Sequence, residues 1–274
     1  MFPLFRFVPS PILRRLSAIR TIRRAYAALL PGDARIVDHG RAGLKLFIVP
    51  RKNKAEWAAG GFKRYEPEQV ACFEKLIHPG DCIFDVGANV GFYAIWFSRL
   101  AVAGRVVAFE PDPANVELLR RNLELNKVCN VAVEPCAVSD YAGERRFAVD
   151  SATGSTGTLE SHQTYGSRLE GGPQMFATVR TTTLDEAARE YGYPALMKID
   201  VEGHELAVLK GARQVLGSPC LRALAVEVSN ASTRTSVYAL LREHGFQLRD
   251  IERNYAEAGE RCYALLAARQ ELTP

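Results

Sequence analysis

The six cysteines (Cys72, Cys82, Cys129, Cys136, Cys220 and Cys262) include no C-x-x-C pair, so the chain has no paired-thiol signature. Most lie in or beside apolar runs such as Cys82-Ile-Phe and Cys262-Tyr-Ala-Leu-Leu, which predicts buried free thiols in a reducing, cytoplasmic compartment. No apolar run reaches about 18 residues, so a membrane-spanning helix is excluded on length. No internal repeat is visible, and 47% hydrophobic with 24% charged residues excludes disorder, collagen and extended coiled coil. The 274 residues fit one globular domain with embellishments.

Acid is missing from one end. Residues 1–32 hold no Asp or Glu, yet carry Arg6, Arg14, Arg15, Arg20, Arg23 and Arg24. The formal net charge of +4 belongs to this segment, because the rest of the chain has 29 basic against 31 acidic residues. A slightly acidic body argues against a basic groove for nucleic acid. Within the segment, Ile12, Leu13, Leu16, Ile19, Ile22, Tyr26 and Leu29 recur at spacings of three or four, the pattern of an amphipathic helix over residues 11–30. Three readings suit it: a helix packed on the domain, a peripheral contact with an anionic membrane surface, or a targeting or partner-binding segment.

Further on, a strand is expected at Leu44 to Val49, a loop at Lys52 to Gly61, and a helix at Glu66 to Ile77. A regular rhythm then begins. Strands are expected at Cys82 to Val86, Arg105 to Phe109 and Val131 to Glu134, with helices from about Gly91 and over Pro113 to Asn126 between them. After an extra strand at Arg145 to Val149, residues 151–172 hold 13 Ser, Thr or Gly among 22 and read as a mobile surface loop. The rhythm resumes with a helix at Leu184 to Tyr191, a strand at Ala195 to Asp200, a helix at His204 to Leu216 and a strand at Ala223 to Val228. A helix at Thr235 to His244 and two antiparallel runs, Gln247 to Ile251 and Cys262 to Ala267, complete it. This predicts an α/β fold, with a seven-stranded, mostly parallel sheet, helices on both faces and a C-terminal hairpin.

The chemistry gathers at the first turn of that rhythm, Asp85-Val-Gly-Ala-Asn-Val-Gly. Ligands of open α/β sheets bind beyond the carboxyl ends of the strands, and the first turn is the usual place. Gly87 would let the backbone approach a ligand, and Gly91 would let the helix pack near the strand. A dinucleotide fingerprint needs G-x-G-x-x-G, but its middle glycine position is Asn89 here, and Asp85 would repel a diphosphate. An acid beside a glycine turn suits a ligand with a cationic amino group, such as the methionine half of S-adenosylmethionine. Glu110, ending the second strand, can accept hydrogen bonds from both hydroxyls of a ribose. It would serve the ribose of NAD equally, which leaves a nicotinamide-dependent oxidoreductase as the alternative and a non-catalytic relative as a third.

The stretches Asp85-Val-Gly-Ala-Asn-Val-Gly-Phe-Tyr, Phe109-Glu-Pro-Asp-Pro and Leu196-Met-Lys-Ile-Asp-Val-Glu-Gly-His-Glu-Leu-Ala-Val-Leu-Lys-Gly-Ala resemble the FkbM family of S-adenosylmethionine-dependent methyltransferases. The resemblance covers about Glu66 to Ala268 and divides the chain into an extension, 1–65, and a methyltransferase domain, 66–274. It implies a seven-stranded methyltransferase sheet, with O-methylation of a hydroxyl on a sugar, glycan or secondary metabolite. It also implies that Asp85, Gly87, Asn89 and Gly91 line the methionine moiety and Glu110 the ribose. The stretch Ala137-Val138-Ser139-Asp140 would border the adenine, and Asp200, Glu202 and Glu205 the reaction end.

Methyl transfer from a sulfonium is an in-line displacement, so alignment supplies most of the rate. A hydroxyl acceptor also loses a proton, which needs a base or an acidifying metal. Asp200, at a strand end, is the first candidate. His204, which titrates near neutral pH, is the second, or else a helix-start residue on the rim. Glu227 is a carboxylate within the apolar strand Ala-Val-Glu-Val and should face the crevice or a cation, because burial without a partner is costly. Asp200, Glu202, His204 and Glu227 are the residues a divalent metal site would use, but the resemblance requires none and alternating residues on a strand face opposite sides, so no metal is expected. Phe92 and Tyr93 open a helix beside the cofactor, where one would face the sulfonium or pack in the core.

Overall fold

The computed structural model describes residues 35–38, 43–49, 66–150, 157–159, 174–228, 231–257 and 260–269. The amphipathic pattern of residues 11–30, the loop at 52–61 and all but three residues of the 151–172 loop lie outside the described residues, as does the side chain of Cys262.

A hairpin of β1 (Arg35–Asp38) and β2 (Lys45–Ile48) comes first, followed by α1 (Pro67–Leu76). The alternation then runs β3 (Cys82–Val86), α2 (Phe92–Leu100), β4 (Arg105–Phe109), α3 (Pro113–Leu125) and β5 (Val131–Glu134). Helix α3 starts where the Asp112 carboxylate accepts the Ala114 N–H at 2.8 Å, ahead of a proline in its first turn, both favoured at a helix start. An insertion follows: β6 (Ala137–Val138), β7 (Gly143–Val149), β8 (Thr158–Leu159) and β9 (Met175–Thr182).

The main rhythm returns with α4 (Leu184–Tyr191), held at its start by a Thr183–Glu186 capping box, and β10 (Leu196–Ile199). Next come α5 (Glu205–Lys210), α6 (Arg213–Gly217), β11 (Ala223–Val228), α7 (Ala231–Glu243), β12 (Gln247–Glu257) and β13 (Glu260–Ala268).

Seven strands form the central sheet in the order β12-β13-β11-β10-β3-β4-β5. Strands β11, β10, β3, β4 and β5 pair in parallel, whereas β13 lies antiparallel to both β11 and β12. Its inner strands are mostly apolar because helices cover both faces, with Asp85, Lys198 and Glu227 as charged interruptions. Ile83, Ala108 and Leu196 pack with Phe73, Phe97 and Leu119 on one face; Phe84, Val107 and Met197 pack with Leu184, Val208 and Leu241 on the other. The chain runs from β3 outward to β5 and later from β10 outward to β11. The order therefore reverses between β3 and β10, which opens a crevice beyond their carboxyl ends.

Two expectations need correction, and two features go beyond what the sequence predicts. Strand β9 has only weak alternation, and its pairing partner β7 stabilises it within a second sheet of order β6-β9-β7-β8. The helix expected over His204 to Leu216 is two helices, interrupted at Gly211, where a β-carbon would stand 2.2 Å from the Ser139 carbonyl oxygen. Cys129 and Cys220 are exposed, because one sits in the loop before β5 and the other in a turn, and of the five described free thiols only Cys136 is buried. Finally, the extension is built into the core: Leu44, Leu46 and Ile48 are buried there. Asn122 of α3 and Asn126, just past its end, hold the backbone of Phe47 and Lys45 through their side-chain amides.

Candidate active site

The turn after β3 is shaped by contacts within the protein. Gly87 has φ +84°, and a β-carbon there would lie 1.9 Å from the carbonyl oxygen of Asp200. Gly87 thus permits the ends of β3 and β10 to meet. Gly91, at φ +94°, leaves room for Leu119 of α3, whose Cδ1 would be 2.4 Å from a β-carbon, so it admits a helix neighbour where the sequence suggested the strand. Asn89 also takes a left-handed conformation, φ 51°, which asparagine tolerates better than most residues. Its side-chain oxygen accepts the Val90 N–H at 2.9 Å, while its own N–H donates to Glu110 Oε2 at 2.8 Å.

Glu110 is buried. Its Oε1 accepts the Asp112 N–H at 2.9 Å and the Asn115 side-chain amide at 3.4 Å. Burial pushes its carboxyl up to about 7, against the pull of the Asp112 and Asn89 amides. Asp85 is more isolated, with 0% of its surface exposed and both oxygens without a hydrogen-bond partner. Burial raises it to about 6, partly offset by the charge of Lys198; the Ala94 amide of α2 adds a weaker pull without reaching hydrogen-bond geometry.

Lys198 lies opposite Asp85 in the β3–β10 register and is itself buried. Its Nζ donates to Asp200 Oδ2 at 3.1 Å and sits 4.9 Å from the centre of the Tyr93 ring. Burial alone would lower this ammonium, but the charges of Asp200, Asp85, Glu66 and Glu227 outweigh it and hold Lys198 above its ordinary value. Glu227, on β11, thus acts on a cation that the protein supplies. Tyr93 also faces that cation, and its hydroxyl donates to Glu66 Oε2 at 2.5 Å; Phe92 packs edge-on to Tyr93 and stacks with Trp96.

Asp200 and His204 turn toward different partners. Asp200 continues from β10, its N–H donating to the Val86 carbonyl at 3.0 Å. His204 Nε2 lies 2.8 Å from Ser139 Oγ, which reaches Asp140 Oδ1 at 3.0 Å. Arg145 pairs with the same Asp140 oxygen at 2.7 Å. Slight burial pulls the Asp140 carboxyl up, yet the Ser139 hydroxyl and Arg145 hold it below the usual range. Ala137 is buried in β6, paired with Thr181. Between Asp200 and His204, Glu202 (φ 55°) and Gly203 (φ 103°) turn the chain sharply. Glu205 accepts the Gly203 N–H at 2.8 Å; its other oxygen is buried without a partner, and burial pushes the carboxyl to about 7. Among the described residues no three His, Cys, Asp or Glu side chains converge to hold a metal ion, so Asp200, Glu202, His204 and Glu227 do not assemble into one.

Residues 85–248 match the methyltransferase FkbM domain, from the buried acid of the glycine turn to the start of β12. The chain belongs to the FkbM methyltransferase family. Among its relatives is the 31-O-demethyl-FK506 methyltransferase FkbM of Streptomyces tacrolimicus, 36% identical over 197 residues that cover 62% of this chain and 74% of that protein. The methyltransferase sdnD of Sordaria araneosa is 28% identical over 221 residues, covering 69% and 81%. The hexuronic acid methyltransferase AglP of Haloferax volcanii is 29% identical over 157 residues, covering 57% and 59%.

In this FkbM-family chain the residue that sequence reasoning passed over is Lys198. A lysine within the apolar run Leu196-Met-Lys-Ile carries the same signal that singled out Glu227: a charge in a strand buried on both faces. Glu66 carried no such signal, because its role depends on Tyr93, which is 27 residues away.

Proposed function

We propose that this methyltransferase uses S-adenosylmethionine to O-methylate a hydroxyl on a sugar, glycan or secondary metabolite. The observation that carries the reading is Asp85, a fully buried carboxylate with neither oxygen hydrogen-bonded, lying beside the glycine turn. An ionised carboxylate is costly to bury without a counter-charge. Lys198 is one cation among several buried or half-buried acids, so the site accommodates a second positive group. The ammonium of the cofactor's methionine half meets that need, and Glu110, 21 residues after Asn89 in the chain but bonded to it, stands where a ribose diol would bind.

When bound, S-adenosylmethionine supplies a methyl group on a cationic sulfur. Asp85, Gly87, Asn89 and Gly91 would line its amino-acid end, Glu110 would accept its ribose hydroxyls, and Ala137 to Asp140 would border its adenine. Asp200 would accept the acceptor hydroxyl's hydrogen bond and take the proton as the oxygen–carbon bond forms, then release it to water. His204, oriented by Ser139, is the second proton acceptor. Glu227 acts through the charge of Lys198. The names of two relatives, one for a 31-O-demethyl compound and one for hexuronic acid, support a small hydroxylated acceptor.

Calorimetry with S-adenosylhomocysteine tests the reading. Saturable one-to-one binding is expected; absence of binding, or saturable NAD binding in its place, overturns it.

A further inference from the structure

Lysine is almost never fully buried unless paired, and a buried ion pair is weak evidence of a stabilising role, since an apolar replacement of similar volume is often neutral or better. Lys198 sits in the middle of the sheet, in register with Asp85 on one side and Ala225 on the other. Side chains two residues apart on a strand share a face, which puts Asp200 beyond Lys198 on its own strand and Glu227 beyond Ala225 on β11. On the helix side, Tyr93 of α2 presents its ring to the ammonium, and Glu66, at the start of α1, holds the Tyr93 hydroxyl. The groups facing Lys198 are therefore Asp85, Asp200, Glu227, Glu66 and Tyr93, four carboxylates and one aromatic face around a single ammonium.

We propose that Lys198 is a positioning residue for methyl transfer: braced by Tyr93 and Glu66, it grips Asp200 through Oδ2 and fixes that carboxylate, as an anion, at the mouth of the crevice. The inference rests on the methyltransferase reading of the site and adds to it. In a reaction driven by alignment, a carboxylate that must meet the acceptor hydroxyl loses rate if it swings or carries a proton of its own. A buried ammonium at 3.1 Å prevents both, because an adjacent opposite charge favours the ionised form. It also makes Asp200 a mild base, suited to orienting a hydroxyl and accepting its proton late.

The test is a carboxyl carbon-13 NMR titration of the full chain, with the Asp200 signal assigned through Asp200→Asn. Replacing Lys198 by methionine should raise the Asp200 midpoint by about one to three pH units, and Lys198→Arg, which keeps the charge, should restore most of the shift. An unchanged midpoint in Lys198→Met overturns the proposal. Should that variant fail to fold, Lys198→Met combined with Asp85→Asn removes one buried charge of each sign and is read against Asp85→Asn alone, with the same two outcomes. The titration is independent of S-adenosylhomocysteine binding: loss of the cofactor reading and loss of this inference show up in different measurements.

Discussion

The carbonyl oxygen of Asp200 occupies the space that a side chain on Gly87 would fill, 1.9 Å from an ideal β-carbon. One glycine thus joins the turn expected at the cofactor's amino-acid end to the strand end that carries the proposed proton acceptor. Gly87→Ala must push β3 and β10 apart and also strain a φ of +84°. A strained left-handed residue alone costs about 1–3 kcal/mol, and the backbone clash adds to it. Thermal unfolding should show a midpoint lower by at least about 2 °C, and S-adenosylhomocysteine affinity should fall with it. An alanine variant with the wild-type midpoint would contradict this geometry.

Stability should run against the usual acid trend. Burial raises Asp85 to about 6 and Glu110 and Glu205 to about 7, from model-peptide values near 4. The folded state therefore binds more protons than the unfolded chain between about pH 4 and 7, and stability falls as pH rises through that window. Asp81 and Asp140, held below their ordinary values, act in the opposite sense, but only below about pH 4. Urea unfolding of the ligand-free protein should give a higher midpoint at pH 5 than at pH 8. Asp85→Asn should flatten the lower part of the slope and Glu110→Gln should flatten it up to about pH 7; a rising midpoint from pH 5 to 8 would refute the assignment.

Binding and turnover should separate by residue. Under the proposed function Asp85→Ala and Glu110→Ala would each remove a charged contact to S-adenosylmethionine, and charge-assisted hydrogen bonds contribute about 1.5–3 kcal/mol apiece. Glu110→Ala, which loses two, should weaken S-adenosylhomocysteine at least about 100-fold by calorimetry. Asp200→Ala should leave that affinity within a few-fold while abolishing transfer of a labelled methyl group to hydroxylated acceptors in a cell extract. Loss of cofactor affinity in Asp200→Ala would move Asp200 out of the reaction end and into the binding site.

Much of this arrangement was legible because the central strands are buried on both faces and read as short apolar runs; β3, β4, β5 and β11 fall where the sequence puts them. The acids at two strand ends were legible for the same reason, as charges interrupting apolar runs. Strand β9 was not, since its neighbours in the small sheet, and no periodicity of its own, stabilise it. Nor was the use of the glycines: Gly87 and Gly91 signal a tight turn, but which backbone or helix crowds them is settled by chain segments more than 25 residues away. The Lys198 ring escaped because its members come from β3, α2, β10, β11 and the start of α1, and only the folded sheet brings them together.

Asn122 connects the extension to the glycine turn. It is fully buried, and its side-chain amide donates to the Val90 carbonyl at 2.8 Å and the Phe47 carbonyl at 3.2 Å, while its oxygen accepts the Phe47 N–H. Truncation to alanine would leave three backbone groups unsatisfied. Each unsatisfied buried group costs about 1–3 kcal/mol, so Asn122→Ala should destabilise by at least about 2 kcal/mol in denaturant unfolding. Asn126→Ala, whose bonds to Lys45 are exposed to water, should cost well under half as much. Because Val90 precedes Gly91 in the proposed cofactor turn, Asn122→Ala should also weaken S-adenosylhomocysteine several-fold without touching it, and Asn126→Ala should not. Equal effects of the two asparagines on affinity would mean that β2 braces the fold alone, and that the turn holds its shape without it.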